Sequence, residues 1–133
     1  MREVLYPPIE AVLEAHQRLL ERYGGATGIR NKGGIEASLA RAQQIAAYAE
    51  GEITVFTLAA AIAFGFARIH HPFVDGNKRV AFYACFATPW MNGWRLDVAE
   101  QEAAETVERM AQGTLDEADF AHWLEVNALR VER

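Results

Sequence analysis

His71-Pro72-Phe73-Val74-Asp75-Gly76-Asn77-Lys78-Arg79, running into Val80-Ala81-Phe82-Tyr83-Ala84-Cys85-Phe86, is the stretch around which the rest of the chain is read. Pro72 disfavours helical dihedrals at His71 and fixes its own φ, while Gly76 admits a positive φ. The stretch is therefore a loop entering a helix rather than one continuous helix. The helix is expected to start near Asn77, with Asp75 or Asn77 as its cap, and apolar residues at 82, 83 and 86 give it a buried face. Lys78 and Arg79 fall in the first turn, where the macrodipole is already positive and backbone N–H groups lack partners. Exposed cations there cost about 0.3–1 kcal/mol each, so the placement makes physical sense if an anion occupies the site. A phosphate chain meets the requirement. The N–H groups of residues 76 to 79 would face its oxygens, Asn77 would donate from its side chain, and Lys78 and Arg79 would neutralise charge. Asp75 offers the hard oxygen ligand that a phosphate-bound magnesium takes from a protein. His71 offers a base, imidazole being the side chain suited to proton removal at neutral pH. His70 and His71 are adjacent, point in different directions and have no Cys or third His near them, so zinc is not expected.

The string HPFVDGNKR resembles the Fic/Doc signature, HPFx[DE]GN[GK]R, and matches all of its specified positions. Lys78 stands where the nucleotidylating Fic enzymes, with the pattern HPFxxGNGRxxR, carry glycine, and Phe82 stands where they carry a second arginine. The lysine form is similar to the death-on-curing (Doc) toxins. The likeness extends to Arg22-Tyr23-Gly24-Gly25 with Gly28 and Arg30, to Glu36-Ala37-Ser38-Leu39-Ala40-Arg41, and to Met91-Asn92-Gly93-Trp94, roughly residues 5 to 130 in all. It implies an all-α, Fic/Doc-like fold and a kinase that moves the γ-phosphate of ATP to a threonine of elongation factor Tu, arresting translation. His71, Asp75, Lys78 and Arg79 would be catalytic, Asp75 would hold Mg²⁺, and Gly76, Asn77, Lys78 and Arg79 would bind the nucleotide. The partner implied is a Phd-like antitoxin whose tail folds on binding. Two alternatives remain open: transfer of AMP to a protein hydroxyl, and a non-catalytic interaction protein of a toxin–antitoxin pair. The chain lacks the [ST]xxxE[GN] pattern by which some Fic enzymes inhibit themselves, so inhibition is expected from another chain.

The 133 residues suffice for one core, and a single domain over 1–133 is expected. The net charge of −5, with no basic stripe beyond residues 78 and 79, argues against a nucleic-acid surface. One cysteine, Cys85, excludes an internal disulfide and reads as a small core residue in a reducing, cytoplasmic setting. Met1-Arg2-Glu3 runs straight into Tyr6-Pro7-Pro8, so no secretory leader is expected.

Six helices are expected. The first follows Pro7-Pro8, carries Ile9, Val12, Leu13, His16, Leu19 and Leu20 on one face, and ends at Gly24-Gly25, with His16 read as packing. Residues 24 to 34 form a loop in which Arg30 and Lys32 meet solvent. The second helix runs from Gly34 to Tyr48, with Tyr48 facing inward. The apolar run Val55 to Ile69, capped by Thr54, reads as the central helix of a bundle, too short for a bilayer and carrying Arg68. The motif helix ends at Asn92-Gly93, with Pro89 expected to kink or shorten its last turn. After extended Trp94-Arg95-Leu96, a helix from Val98 to Ala111 is expected with Asp97 as cap. A last helix is expected behind a Thr114/Glu117 capping box, continuing through Leu129.

Overall fold

Thr54 starts the central, most buried helix: its Oγ1 accepts the Thr57 N–H at 3.2 Å, the cap expected of it. The computed structural model describes residues 3–131, so the expectation resting on Met1 and Arg2 lies outside the described residues. The fold is all-α. Its helices are α1 (Ile9–Tyr23), α2 (Lys32–Tyr48), α3 (Val55–Phe64), α4 (Asn77–Met91), α5 (Glu100–Gln112) and α6 (Glu117–Val126). A π-helical segment, Gly65–His70, continues α3. Phe56 and every residue from Leu58 to Ala63 are buried, and α3 lies against α2, α4 and α6. Its run of small residues lets those neighbours approach closely.

α2 comes close at Gly65, where an added Cβ would lie 2.9 Å from the backbone Cα of Ser38. Ser38 itself is buried but satisfied, since its hydroxyl donates to the Gly34 carbonyl at 2.8 Å. Gly65→Ala should therefore lower stability by about 1–3 kcal/mol, the usual cost of overpacking, read from a denaturant titration. An unchanged midpoint would mean that α2 yields freely at this point. Arg41 fastens the same region. Its guanidinium donates to the Ala61 carbonyl at 2.7 Å and to both carboxylate oxygens of Glu117, at 2.9 and 3.3 Å, joining α2, α3 and the start of α6.

Several expected boundaries move. α2 begins at Lys32 rather than Gly34, because Asn31 caps it by accepting the Gly34 N–H at 3.2 Å, and Tyr48 points out, 85% exposed. Pro89 lies buried inside α4 without shortening it. Asn92 closes that end, donating to the Thr88 carbonyl at 2.7 Å and exchanging hydrogen bonds with the Leu5 backbone at 2.8 and 2.9 Å. Asp97 caps nothing; it lies 3.5 Å from Arg95, and α5 starts two residues late. α6 is capped by Asp116, which accepts the Asp119 N–H at 2.8 Å, while Thr114 donates to the Arg109 carbonyl and belongs to the end of α5. The last helix stops at Val126. Residues beyond it form a strand, β2 (Ala128–Arg130), antiparallel to β1 (Trp94–Leu96), with Trp94 opposite Arg130. Pairing with Trp94–Leu96, together with the Arg130 guanidinium over the Trp94 ring at 5.0 Å, outcompetes another helical turn there. No helix among the described residues is long and apolar enough to cross a membrane.

Candidate active site

The π-helical segment delivers the chain to His71, which takes φ 42° and ψ 56° and is the one non-glycine residue at positive φ among those described. Pro72 makes a helical conformation unfavourable at His71, so the helix must end there, and the left-handed turn sets the loop on a new course. That loop is held from three sides. The Pro72 carbonyl accepts the N–H groups of Arg30 and Asn31 at 2.7 and 3.0 Å, and Val74 donates to the Gly28 carbonyl at 3.1 Å, so Ile29 and Phe73 form an antiparallel bridge. From the α4 side, the Asn77 amide accepts the Phe73 N–H and donates to the Phe73 carbonyl, both at 2.9 Å. From the core, the fully buried Phe73 ring stacks on His16 with centroids 3.8 Å apart and an interplanar angle of 13°. His16 Nε2 lies 2.8 Å from the Asp75 carbonyl oxygen; since a carbonyl only accepts, that nitrogen carries the proton.

These restraints decide what each side chain is available for. α4 begins behind Gly76, at φ 86°, with no side-chain cap, so neither Asp75 nor Asn77 caps it. Asp75 instead accepts the Gly76 N–H at 2.8 Å on one oxygen and the Ala26 N–H at 3.2 Å on the other. Those two backbone donors, Ala26 first, hold its carboxyl below the ordinary carboxylate range, with Arg79 adding to the effect. The group is thus an exposed, firmly ionised carboxylate. The Gly76 N–H is consequently spent, and the N–H groups of Asn77, Lys78 and Arg79 remain at the open first turn of α4. Arg79 donates to the Gly24 carbonyl at 2.7 Å with its guanidinium 5.2 Å from the Tyr23 ring centre, which ties α4 to the end of α1. Lys78 pairs with Glu108 of α5 at 2.7 Å, and this bond holds the Glu108 carboxyl below its ordinary range. His71 is exposed, and its imidazole has no hydrogen-bond partner among the described residues.

His71, Asp75, Gly76, Asn77, Lys78 and Arg79 line one cleft of about 480 Å³, closed on the far side by Glu108 and the end of α5. The expected residues thus share one open space: a base with no partner, an ionised carboxylate, two cations and the bare N–H groups of a helix start. Among the described residues no three His, Cys, Asp or Glu side chains converge, so a divalent cation here would need most of its ligands from phosphate or water. Asp75 fits that mode, because each of its oxygens accepts one hydrogen bond and keeps a lone pair, and magnesium commonly takes one or two protein carboxylates.

Sequence patterning did not single out Ala26, Glu108 or the hold of His16 on Asp75. Only the double glycine at 24–25 hinted at the first: a Cβ on Gly25, at φ 125°, would lie 2.8 Å from Asp75 Oδ2, so that turn must be bare for the carboxylate to reach Ala26. Cys85 is fully buried and burial pushes its thiol up, consistent with its reading as a core residue.

A comparison with family models matches residues 6–88 to the Fic/DOC family. The match takes in α1 through most of α4 and stops short of the likeness noted at Met91–Trp94. No curated protein matches the chain.

Proposed function

Because this chain belongs to the Fic/DOC family, whose members are typically transferases that act on proteins, we propose that it is a protein kinase. It transfers the γ-phosphate of ATP to a threonine of elongation factor Tu and so arrests translation. The observation that carries this reading is the pair Lys78 and Phe82: a cation in the first turn of α4 and, one turn on, an apolar ring, where the nucleotidylating enzymes it resembles have glycine and arginine. His71 removes the proton of the acceptor hydroxyl as that oxygen bonds to the γ-phosphorus and the bond to the bridging oxygen breaks, releasing ADP. Lys78, Arg79 and the N–H groups at the start of α4 face the charge of the transferring group, where most of the catalysis of this reaction arises. Asp75 would hold magnesium, which supplies neutralising charge to the phosphate oxygens.

A Phd-like antitoxin is the proposed inhibitor. What supports a seat for it is a groove of about 610 Å³ between α1 and α4, floored by Leu19, Phe82, Phe86 and Trp90 and rimmed by Arg18, Arg79 and Arg95. An amphipathic helix with acidic flanks suits such a surface. Incubation of the protein with Mg·ATP and elongation factor Tu, followed by mass spectrometry of the acceptor, tests the activity. Phosphothreonine is expected. An unmodified acceptor would favour the non-catalytic alternative.

A further inference from the structure

His16, on α1, bonds to the loop before α4 at one peptide. Its Nε2–H donates to the Asp75 carbonyl at 2.8 Å, and at the other end of the same peptide the Gly76 N–H donates to Asp75 Oδ1, also at 2.8 Å. In a trans peptide the C=O and N–H point in opposite directions, so a donor that fixes the oxygen also aims the N–H. The backbone alone does not aim it. Gly76 stands at φ 86°, and glycine takes either sign of φ about equally readily, so the peptide turns over easily unless a side chain opposes it. Turned over, it would lose the His16 bond and withdraw the Gly76 N–H, leaving that carboxylate oxygen free to swing. We propose that His16 is a positioning residue for the metal-holding carboxylate: by fixing the Asp75–Gly76 peptide from α1, it sets the direction in which Asp75 faces the cleft. This rests on the reading in which Asp75 holds magnesium, and adds the residue that aims it.

The imidazole is itself held in place. It is buried, its ring lies flat on Phe73, and Phe73 is fixed by the Asn77 amide and backed by the Phe66 ring at 6.3 Å. Residue 76 has to be bare for the ring to come so near: a Cβ there would lie 3.3 Å from His16 Cδ2 and 3.4 Å from Nε2. An apolar ring would fill the same slot against Phe73, so packing accounts for the stack but not for the hydrogen bond. The second carboxylate oxygen is taken by the Ala26 N–H at 3.2 Å. Asp75 is thus held by one bond to the α1–α2 loop and by one through the peptide that His16 fixes. Partners that orient a metal ligand from behind in this way commonly govern metal affinity by about 10–100-fold.

Calorimetric titration with Mg·ATP and, separately, with ATP in excess chelator tests the assignment in wild type, His16→Phe and His16→Gln. Phenylalanine keeps the stack and lacks the donor, whereas the glutamine amide lacks the ring and carries an N–H to a similar reach. His16→Phe is expected to weaken Mg·ATP about tenfold and to leave metal-free ATP unchanged, and His16→Gln to recover most of the lost Mg·ATP affinity. A role in packing alone predicts the opposite order, because glutamine disrupts the stack that phenylalanine keeps. Nitrogen NMR of the wild type adds a readout that needs no variant to fold: the His16 proton is expected on Nε2. Equal loss of both ligands in His16→Phe, Mg·ATP binding by that variant as in the wild type, no recovery in His16→Gln, a bare Nε2, or a wild type indifferent to magnesium would each overturn the proposal. Transfer of labelled phosphate separates it from the kinase reading. Magnesium-selective loss in His16→Phe with α-phosphate transfer by the wild type would keep the positioning role and remove the kinase. Normal Mg·ATP binding by that variant with γ-phosphate transfer by the wild type would do the reverse.

Discussion

Replacing His71 with alanine should abolish phosphoryl transfer while leaving the melting temperature close to that of the wild type. The imidazole is exposed and has no partner among the described residues, so its removal opens no cavity and orphans no polar group. Loss of a positioned general base removes about 10²–10⁴-fold of rate. The backbone separates chemistry from strain: at φ 42° a residue with a Cβ stores roughly 1–2 kcal/mol that glycine does not. His71→Gly should therefore be as inactive as His71→Ala and somewhat harder to melt. Single-turnover rates at saturating ATP and acceptor, beside thermal melts of both variants, check the pair of expectations. Full turnover by either variant would mean that another group takes the proton.

Lys78→Ala should cost about 1.5–3 kcal/mol of transition-state stabilisation, the range for a hydrogen bond to a charged group, or roughly ten- to a hundredfold in kcat/KM. Stability should hardly change, because the half-exposed Lys78–Glu108 pair is worth at most about 1 kcal/mol. The geometry adds a second effect. Without the ammonium, the Glu108 carboxylate is left unneutralised on the wall of the cleft and would repel a bound nucleotide. The double variant Lys78→Ala/Glu108→Ala should thus recover part of the lost ATP affinity but not the lost rate. A double-mutant cycle on KM and kcat measures that coupling. Strictly additive effects would show that Glu108 does not act on the bound nucleotide.

The helices were legible wherever the cause is local. Ile9, Val12, His16, Leu19 and Leu20 repeat at helical spacing, Thr54 caps, and the motif helix runs from Asn77 to Met91 as its signals predict. What escaped depends on partners far along the chain. The switch from α to π geometry at Gly65 leaves no mark in an apolar run, because it coincides with the approach of α2 at Ser38, 27 positions earlier. Leu129 continues a plausible helical face, yet the strand there is set by pairing with Trp94–Leu96.

The candidate site divides the same way. The residue types at 71 to 79 raised the expectation of an anion site, and the structure brings them to one cleft, but which donors are free depends on packing. Asp75 consumes the Gly76 N–H, Asn77 is committed to Phe73, Arg79 reaches back to Gly24, and Lys78 meets Glu108. His16 read as packing and lies buried as such; that it also holds the Asp75 carbonyl from 59 residues away was not visible.

The orientation of the nucleotide is the point on which the account turns, and two labels decide it. Purified protein is incubated with magnesium, elongation factor Tu and ATP labelled on either the α- or the γ-phosphate, and the label on the acceptor is counted. Transfer of the γ-label alone is the expected result. Predominant transfer of the α-label would contradict it, placing the chain with the nucleotidyl transferases despite Lys78 and Phe82.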